Sequence, residues 1–191
     1  KNVIEKREIN YENLADGVEI NDETVTFEDA SGEIVTIKKK PQKVIGLYNS
    51  YNHVWFKSGG TIVGRINSTT GLPKAFEEAQ VVGTIKEPNI EMILELKPDL
   101  VILRNSKQSG IINILKENKI DYISMEYNSF NDYLKMLKIF TALNGQEDLY
   151  KTLGLDVRDE IVEEIRGLPD EKKTALLIFG TSKSYKAYLS N

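Results

Sequence analysis

Between Val81 and Leu103 the chain reads VVGTIKEPNIEMILELKPDLVIL, two apolar runs flanking a stretch whose apolar residues return every three or four positions. The pattern predicts strand, helix and strand. Val81 and Val82 form a short strand and Gly83 permits a tight turn. Pro88 and Asn89 supply the fixed φ and the capping oxygen of a helix entry. Ile90, Ile93, Leu94 and Leu96 keep helical spacing, and Pro98 stops the helix. The run through Leu103 has the continuous apolar character of a parallel strand buried on both faces.

The same alternation extends in both directions. Strands are predicted near Val44 to Leu47, Thr61 to Val63, Val81 to Val82, Asp99 to Leu103 and Tyr122 to Ser124. Helices are predicted near Tyr51 to Lys57, Lys74 to Ala79, Asn89 to Leu96, Ser109 to Asn118 and Phe130 to Leu143. Five strands with intervening helices define an α/β fold, a doubly wound parallel sheet. Before it, Val25 to Phe27 and Ile34 to Ile37 alternate as a hairpin around Ala30-Ser31-Gly32-Glu33, with Gly32 at positive φ. After it, Gln146 to Ile165 is a long amphipathic segment that Gly154 can kink, and Gly167-Leu168-Pro169-Asp170 ends it. Thr174 to Phe179 then reads as a buried strand. The expected organisation is an extension over 1–23, a lobe over 24–145, a linker helix over 146–168 and a further segment over 169–191.

Open parallel sheets bind ligands at the carboxyl ends of their strands, which marks Thr84 to Asn89 as site lining. Every strand end carries polar or aromatic candidates. Tyr48, Asn49, Tyr51, His53 and Trp55 follow the first strand, and Arg65 and Asn67 the second. Thr84 and Lys86 follow the third, Arg104 and Asn105 the fourth, and Glu126 and Tyr127 the fifth. The aromatics would form a rigid wall, with Trp55 beside the cleft as a fluorescent reporter. Arg65, Arg104 and Lys86 would neutralise an anionic ligand, arginine being able to grip a carboxylate with two parallel hydrogen bonds. A surface-loop role is the competing reading for each residue.

Composition narrows the function. With 191 residues, 40% hydrophobic and 28% charged, the chain can bury a sizeable core. The net charge of −4, with 25 cationic residues dispersed among 29 acidic ones, argues against a nucleic-acid partner. Lys38 to Lys40, the only basic run, suits a solvated strand edge. The absence of cysteine excludes disulfides, thiolate metal sites and cysteine nucleophiles. No apolar run reaches the roughly 18 residues of a membrane span, and the N-terminal residues are too charged for a signal peptide, so the sequence is expected to begin after one. His53 is the only histidine and no G-x-S-x-G elbow accompanies it, which leaves little for nucleophilic hydrolysis. Gly180-Thr181-Ser182-Lys183-Ser184 lacks phosphate-loop spacing. The adjacent pairs Glu77–Glu78 and Glu163–Glu164 diverge on helices as solvated residues do.

The segment from Asn89 to Val101, together with the hairpin VTFEDASGEIVTI and the strand entry Lys40 to Leu47, resembles the periplasmic iron-siderophore/vitamin B12 (class III) substrate-binding proteins of ABC importers. The resemblance runs from about Val25 to about Arg166. It implies the amino-terminal lobe of an exported, often lipid-anchored binding protein, not an enzyme and without a cofactor. It also implies a long helix leading to a second α/β lobe that Thr174 to Phe179 would open. The implied ligand is an iron-siderophore or related metal chelate, haem or a cobalamin-like molecule, weakly held by one lobe alone. The implied partner is a permease docked through Glu91, with the protein itself monomeric. Glu91 in a first helical turn has a second reading, as a charge favourable to the helix dipole. A flavodoxin-like nucleotide- or flavin-binding enzyme subunit and an extracellular sensor lobe remain the alternatives.

Overall fold

Three antiparallel strands open the described chain: β1 (Val18–Ile20), β2 (Thr24–Glu28) and β3 (Ile34–Lys38), in the order β1-β2-β3. The computed structural model describes residues 15–167, 176–180 and 185–189. The expected hairpin is present, with Gly32 at φ 84°. Its turn is closed by Asp29, whose carboxylate accepts the N–H groups of Ser31 and Glu33. β1 falls within the stretch expected to be an extension, yet it pairs with β2 from Val18 opposite Phe27 to Ile20 opposite Val25.

The central sheet follows. Its strands are β4 (Val44–Gly46), β5 (Gly64–Arg65), β6 (Gln80–Val81), β7 (Leu100–Arg104) and β8 (Asp121–Met125). They run parallel in the order β6-β5-β4-β7-β8. The chain winds outward from β4 through α1 (Asn49–Lys57) to β5 and β6. It crosses back through α2 (Ile90–Glu95) to β7 on the other side of β4. The direction of winding therefore reverses between β4 and β7. Short α3 (Asn105–Gln108) and α4 (Ile112–Glu117) lead to β8, and α5 (Phe130–Leu143) follows it.

Successive strand residues alternate between two cores, as a sheet covered on both faces requires. Val44, Leu100, Ile102, Ile123 and Met125 pack with Tyr51 and Trp55 of α1 and with Phe140 and its neighbours on α5. Ile45, Val101, Leu103 and Tyr122 pack on the opposite face with Ile93 of α2 and with Ile112 and Leu115 of α4.

The segment from Gly83 to Pro98 folds as its pattern dictates. Gly83 has φ 109°, and a Cβ there would lie 2.5 Å from the Glu87 carbonyl oxygen and 2.7 Å from the Asn89 nitrogen, so no side chain fits. The Asn89 side chain accepts the Met92 N–H and caps α2.

Other expectations shift. The second central strand lies at Gly64–Arg65 rather than Thr61 to Val63: Val63 donates its N–H to the Val44 carbonyl, and the pairing with β4 then runs on through Gly64 and Arg65. A Cβ on Gly64 would fall 2.9 Å from Ile45 Cγ1 and 3.0 Å from Leu96 Cδ1. The helix expected over Lys74 to Ala79 is a single 3₁₀ turn, Lys74–Phe76. The Glu77 carbonyl that follows this turn is taken by the Arg65 side chain. The helix expected over Ser109 to Asn118 begins as a 3₁₀ turn, Ser109–Ile111, before α4.

The amphipathic segment after α5 is helical from α6 (Asp148–Tyr150) through a π-helical turn (Lys151–Leu155) into α7 (Asp156–Arg166). Gly154 lies in that turn. A Cβ on it would come within 3.0 Å of Leu137 Cδ2 and 3.1 Å of Leu134 Cδ2, so the expected kink takes the form of a π turn pressed onto α5. The chain divides into two units, Lys1–Arg158 and Asp159–Asn191. In the second, β9 (Leu176–Gly180) pairs antiparallel with β10 (Tyr185–Leu189), Tyr185 opposite Gly180. The predicted strand Thr174 to Phe179 thus coincides with β9, although Thr174 and Ala175, the turn at Leu168 to Asp170 and the loop at Thr181 to Ser184 lie outside the described residues.

Candidate functional site

The reversal of winding brings together the carboxyl ends of β4 and β7, and Tyr48 and Arg104 occupy these two ends. Leu47, just before Tyr48, donates its N–H to the Ile102 carbonyl, which extends the β4–β7 pairing to the last residue before the cleft. Arg104 Nη1 donates to Tyr48 Oη at 2.6 Å. Its Nε donates to Glu126 Oε1 at 2.8 Å, and Nη2 is ion-paired with the same oxygen at 2.7 Å. Glu126 in turn accepts the Ser106 N–H on its other oxygen and the Ser106 hydroxyl on the first. Burial pushes the Glu126 carboxyl up, but the Ser106 N–H, the Arg104 guanidinium and the Ser106 hydroxyl outweigh it and hold the group below its ordinary value. Burial likewise works against the Arg104 charge, and its bonds to Glu126 and Tyr48 more than compensate.

A cavity of about 330 Å³ opens beside this cluster. Tyr48, Asn49 and Ser50 line it from β4 and α1; Ile66, Asn67, Ser68 and Thr70 line it from the loop after β5; Thr84 and Ile85 line it from the turn after β6. Asn49 fixes the wall by donating both N–H groups of its amide, to the Ser68 and Thr70 carbonyls. Its Oδ1 is buried without a hydrogen-bond partner. Gln108 ties these strand ends together: its amide donates to the Leu47 and Ile85 carbonyls while its oxygen accepts the Arg104 N–H. Strand ends from three loops are thereby fastened to one buried side chain.

Of the residues expected at the site, Tyr48, Asn49, Asn67 and Thr84 line the cavity, and Arg104 reaches it through Tyr48. Others lie elsewhere. Trp55 is fully buried, with its ring at right angles to Phe140 and its Nε1 donating to the Thr61 carbonyl, so it belongs to the core and not to a cleft wall. Tyr51 is also fully buried; it donates to the Met125 carbonyl, and burial raises its hydroxyl pKa. Arg65, expected to grip an anion, lies within β5 and donates to the Glu77 and Ile66 carbonyls instead. Asn105 bridges Ala30 of the hairpin and Ser124 of β8. His53 and Lys86 are exposed outside the lining, and Tyr127 is exposed beside the ring of Tyr133, which in turn stacks on Phe130. Glu126 enters as more than a strand-end residue. Arg104 pairs with Met125 across β7 and β8, so the next residue must stand beside the guanidinium. Gln108 gave no signal in the sequence.

Doubly wound parallel sheets bind ligands at such a switch point, and this one opens onto hydroxyl and amide groups. The chain belongs to the family described as periplasmic binding protein, which matches residues 44–190. In Bacillus subtilis (strain 168), an uncharacterized ABC transporter substrate-binding lipoprotein, YvrC, is 28% identical over 163 residues, covering 81% of this chain and 51% of its own length. The probable siderophore-binding lipoprotein YfiY of the same organism is 27% identical over 169 residues, covering 78% of this chain and 52% of its own. The chain spans about half the length of these curated relatives. The periplasmic catecholate-siderophore binding protein VctP from Vibrio cholerae shares the fold, with a TM-score of 0.72 and 19% identity over 87% of this chain and 61% of VctP. Among the described residues, no helix is long and apolar enough to cross a membrane.

Proposed function

We propose that the chain is the amino-terminal, ligand-receiving lobe of an extracytoplasmic substrate-binding component of an ABC-type importer. Its ligand is an iron-siderophore or a related metal chelate, and it works by capture and delivery rather than by chemistry. The observation that carries the reading is the cavity at the β4–β7 switch point, in a chain whose family match covers the same strands. Equilibrium dialysis of the purified chain against ferric chelates tests it. Saturable binding that weakens on Tyr48→Ala supports the reading, and no binding of any chelate at millimolar concentration would sink it. In a complete protein that added a second wall, the extra contacts and desolvation would make binding tighter than binding by this lobe alone.

Delivery requires a permease contact, and Glu91 is the residue proposed to make it. It is exposed in the first turn of α2, one residue beyond the helix entry that Asn89 caps. Glu91→Gln in the complete protein should leave ligand affinity intact and depress uptake in reconstituted vesicles. Unchanged uptake would assign Glu91 to the helix dipole alone.

A further inference from the structure

Resting on the proposed chelate-binding function, we infer that this lobe is built for a chelate without net negative charge, one that presents amide or hydroxyl groups to the cavity. The nine residues around the cavity carry no formal charge. Their polar atoms are hydroxyls and amides, and Asn49, in the cavity wall, has a buried Oδ1 with no donor.

The two arginines near these strand ends are both committed within the protein. Arg104 points three of its donor positions at Glu126 and Tyr48, and the ion pair brings no net charge to the switch point. Arg65 spends its donors on the Glu77 and Ile66 carbonyls and is 9% exposed. An anionic ligand would have to displace Glu126 from Arg104, which costs free energy, or turn to Lys86, which is exposed outside the lining and solvated. A neutral trishydroxamate and a corrinoid edged with amides share the chemistry that fits.

The test is equilibrium dialysis of the full chain at about 0.15 M salt. The probes are ferrichrome, a neutral trishydroxamate; cyanocobalamin, a neutral corrinoid; and ferric enterobactin, a trianionic triscatecholate. We expect ferrichrome or cyanocobalamin to bind about tenfold more tightly than ferric enterobactin, the tighter of the two identifying the source of the neutral groups. Glu126→Gln, which frees the Arg104 charge, should shift the ratio of the two affinities about tenfold toward the trianion. Tighter binding of ferric enterobactin by the unmodified chain would overturn the inference while leaving chelate binding standing, and so would a Glu126→Gln variant that folds but keeps the original ratio. Failure of all three probes to bind would overturn the inference, and the parent reading falls with it if no other ferric chelate binds at millimolar concentration.

Discussion

Asp99 and Lys43 hold each other reciprocally: the Lys43 N–H donates to Asp99 Oδ1 at 2.8 Å, and the Asp99 N–H donates to the Lys43 carbonyl at 3.1 Å. The second carboxylate oxygen accepts the Gln42 N–H at 2.7 Å. One side chain thereby sets where β4 and β7 begin, and hence where Tyr48 and Arg104 end up at the opposite edge. Asp99→Ala should destabilise the chain by about 1–3 kcal/mol, and Asp99→Asn, which keeps one acceptor, by less. Urea denaturation measures both, and equal losses would show that the two amide bonds are not what the carboxylate contributes.

Trp55 reports on the core. Its position against Phe140 predicts a blue-shifted emission that saturating ligand leaves unchanged and that moves to the red only on unfolding. Trp55→Ala should cost about 3–5 kcal/mol. Ligand-dependent quenching in the folded chain would place the indole nearer to the cavity than its burial allows.

Two left-handed positions invite opposite substitutions. Gly83→Ala should destabilise the chain and disturb the turn that presents Thr84, because the added carbon meets backbone atoms. Lys119, just past α4 at φ 54°, carries a side chain where glycine is at ease, so Lys119→Gly should stabilise by about 0.5–1 kcal/mol. Thermal melts that rank these variants the other way would contradict both arguments.

Glu126 and Glu33 titrate below the ordinary carboxylate value. Glu126 does so because the Ser106 and Arg104 bonds outweigh its burial, and Glu33 because of its bond to Lys116. A depressed folded pKa means stability that is present above the unfolded value of about 4.3 and lost as pH falls through the folded value. The melting temperature should therefore drop below about pH 4.3, and Glu126→Gln should lessen that drop. An identical acid profile for the variant would show that the cluster is not linked to folding.

The fold was legible where one face of the sequence pattern met one physical requirement. Leu100 to Leu103 must be buried on both sides, and Asn89 must cap a helix because Pro88 precedes it and Ile90 begins the apolar spacing. β5 was misplaced because Ile62 and Val63 look like a strand, whereas the ladder to β4 and β6 starts at Val63 and runs on through Gly64 and Arg65, a pair with no apolar pattern. The site was legible as a set of strand ends and no further. Whether a strand-end side chain turns inward depends on packing: Tyr51 and Trp55 lie on the core side of α1, and Arg65 finds carbonyls within reach. Arg104 and Glu126 become a pair only through the β7–β8 register, which no local pattern encodes.

The hairpin at Ala30 donates its N–H to the Ser124 carbonyl of β8, and Asn105 reaches back to the Ala30 carbonyl. β8 is the outermost strand of its sheet. Bare outer strands recruit foreign chains into growing stacks. The small N-terminal sheet therefore covers part of that rim, and because Val25, Phe27 and Ile37 are buried in one core with Tyr51 and Trp55, trimming the chain back to β4 would bare the rim and open the core together.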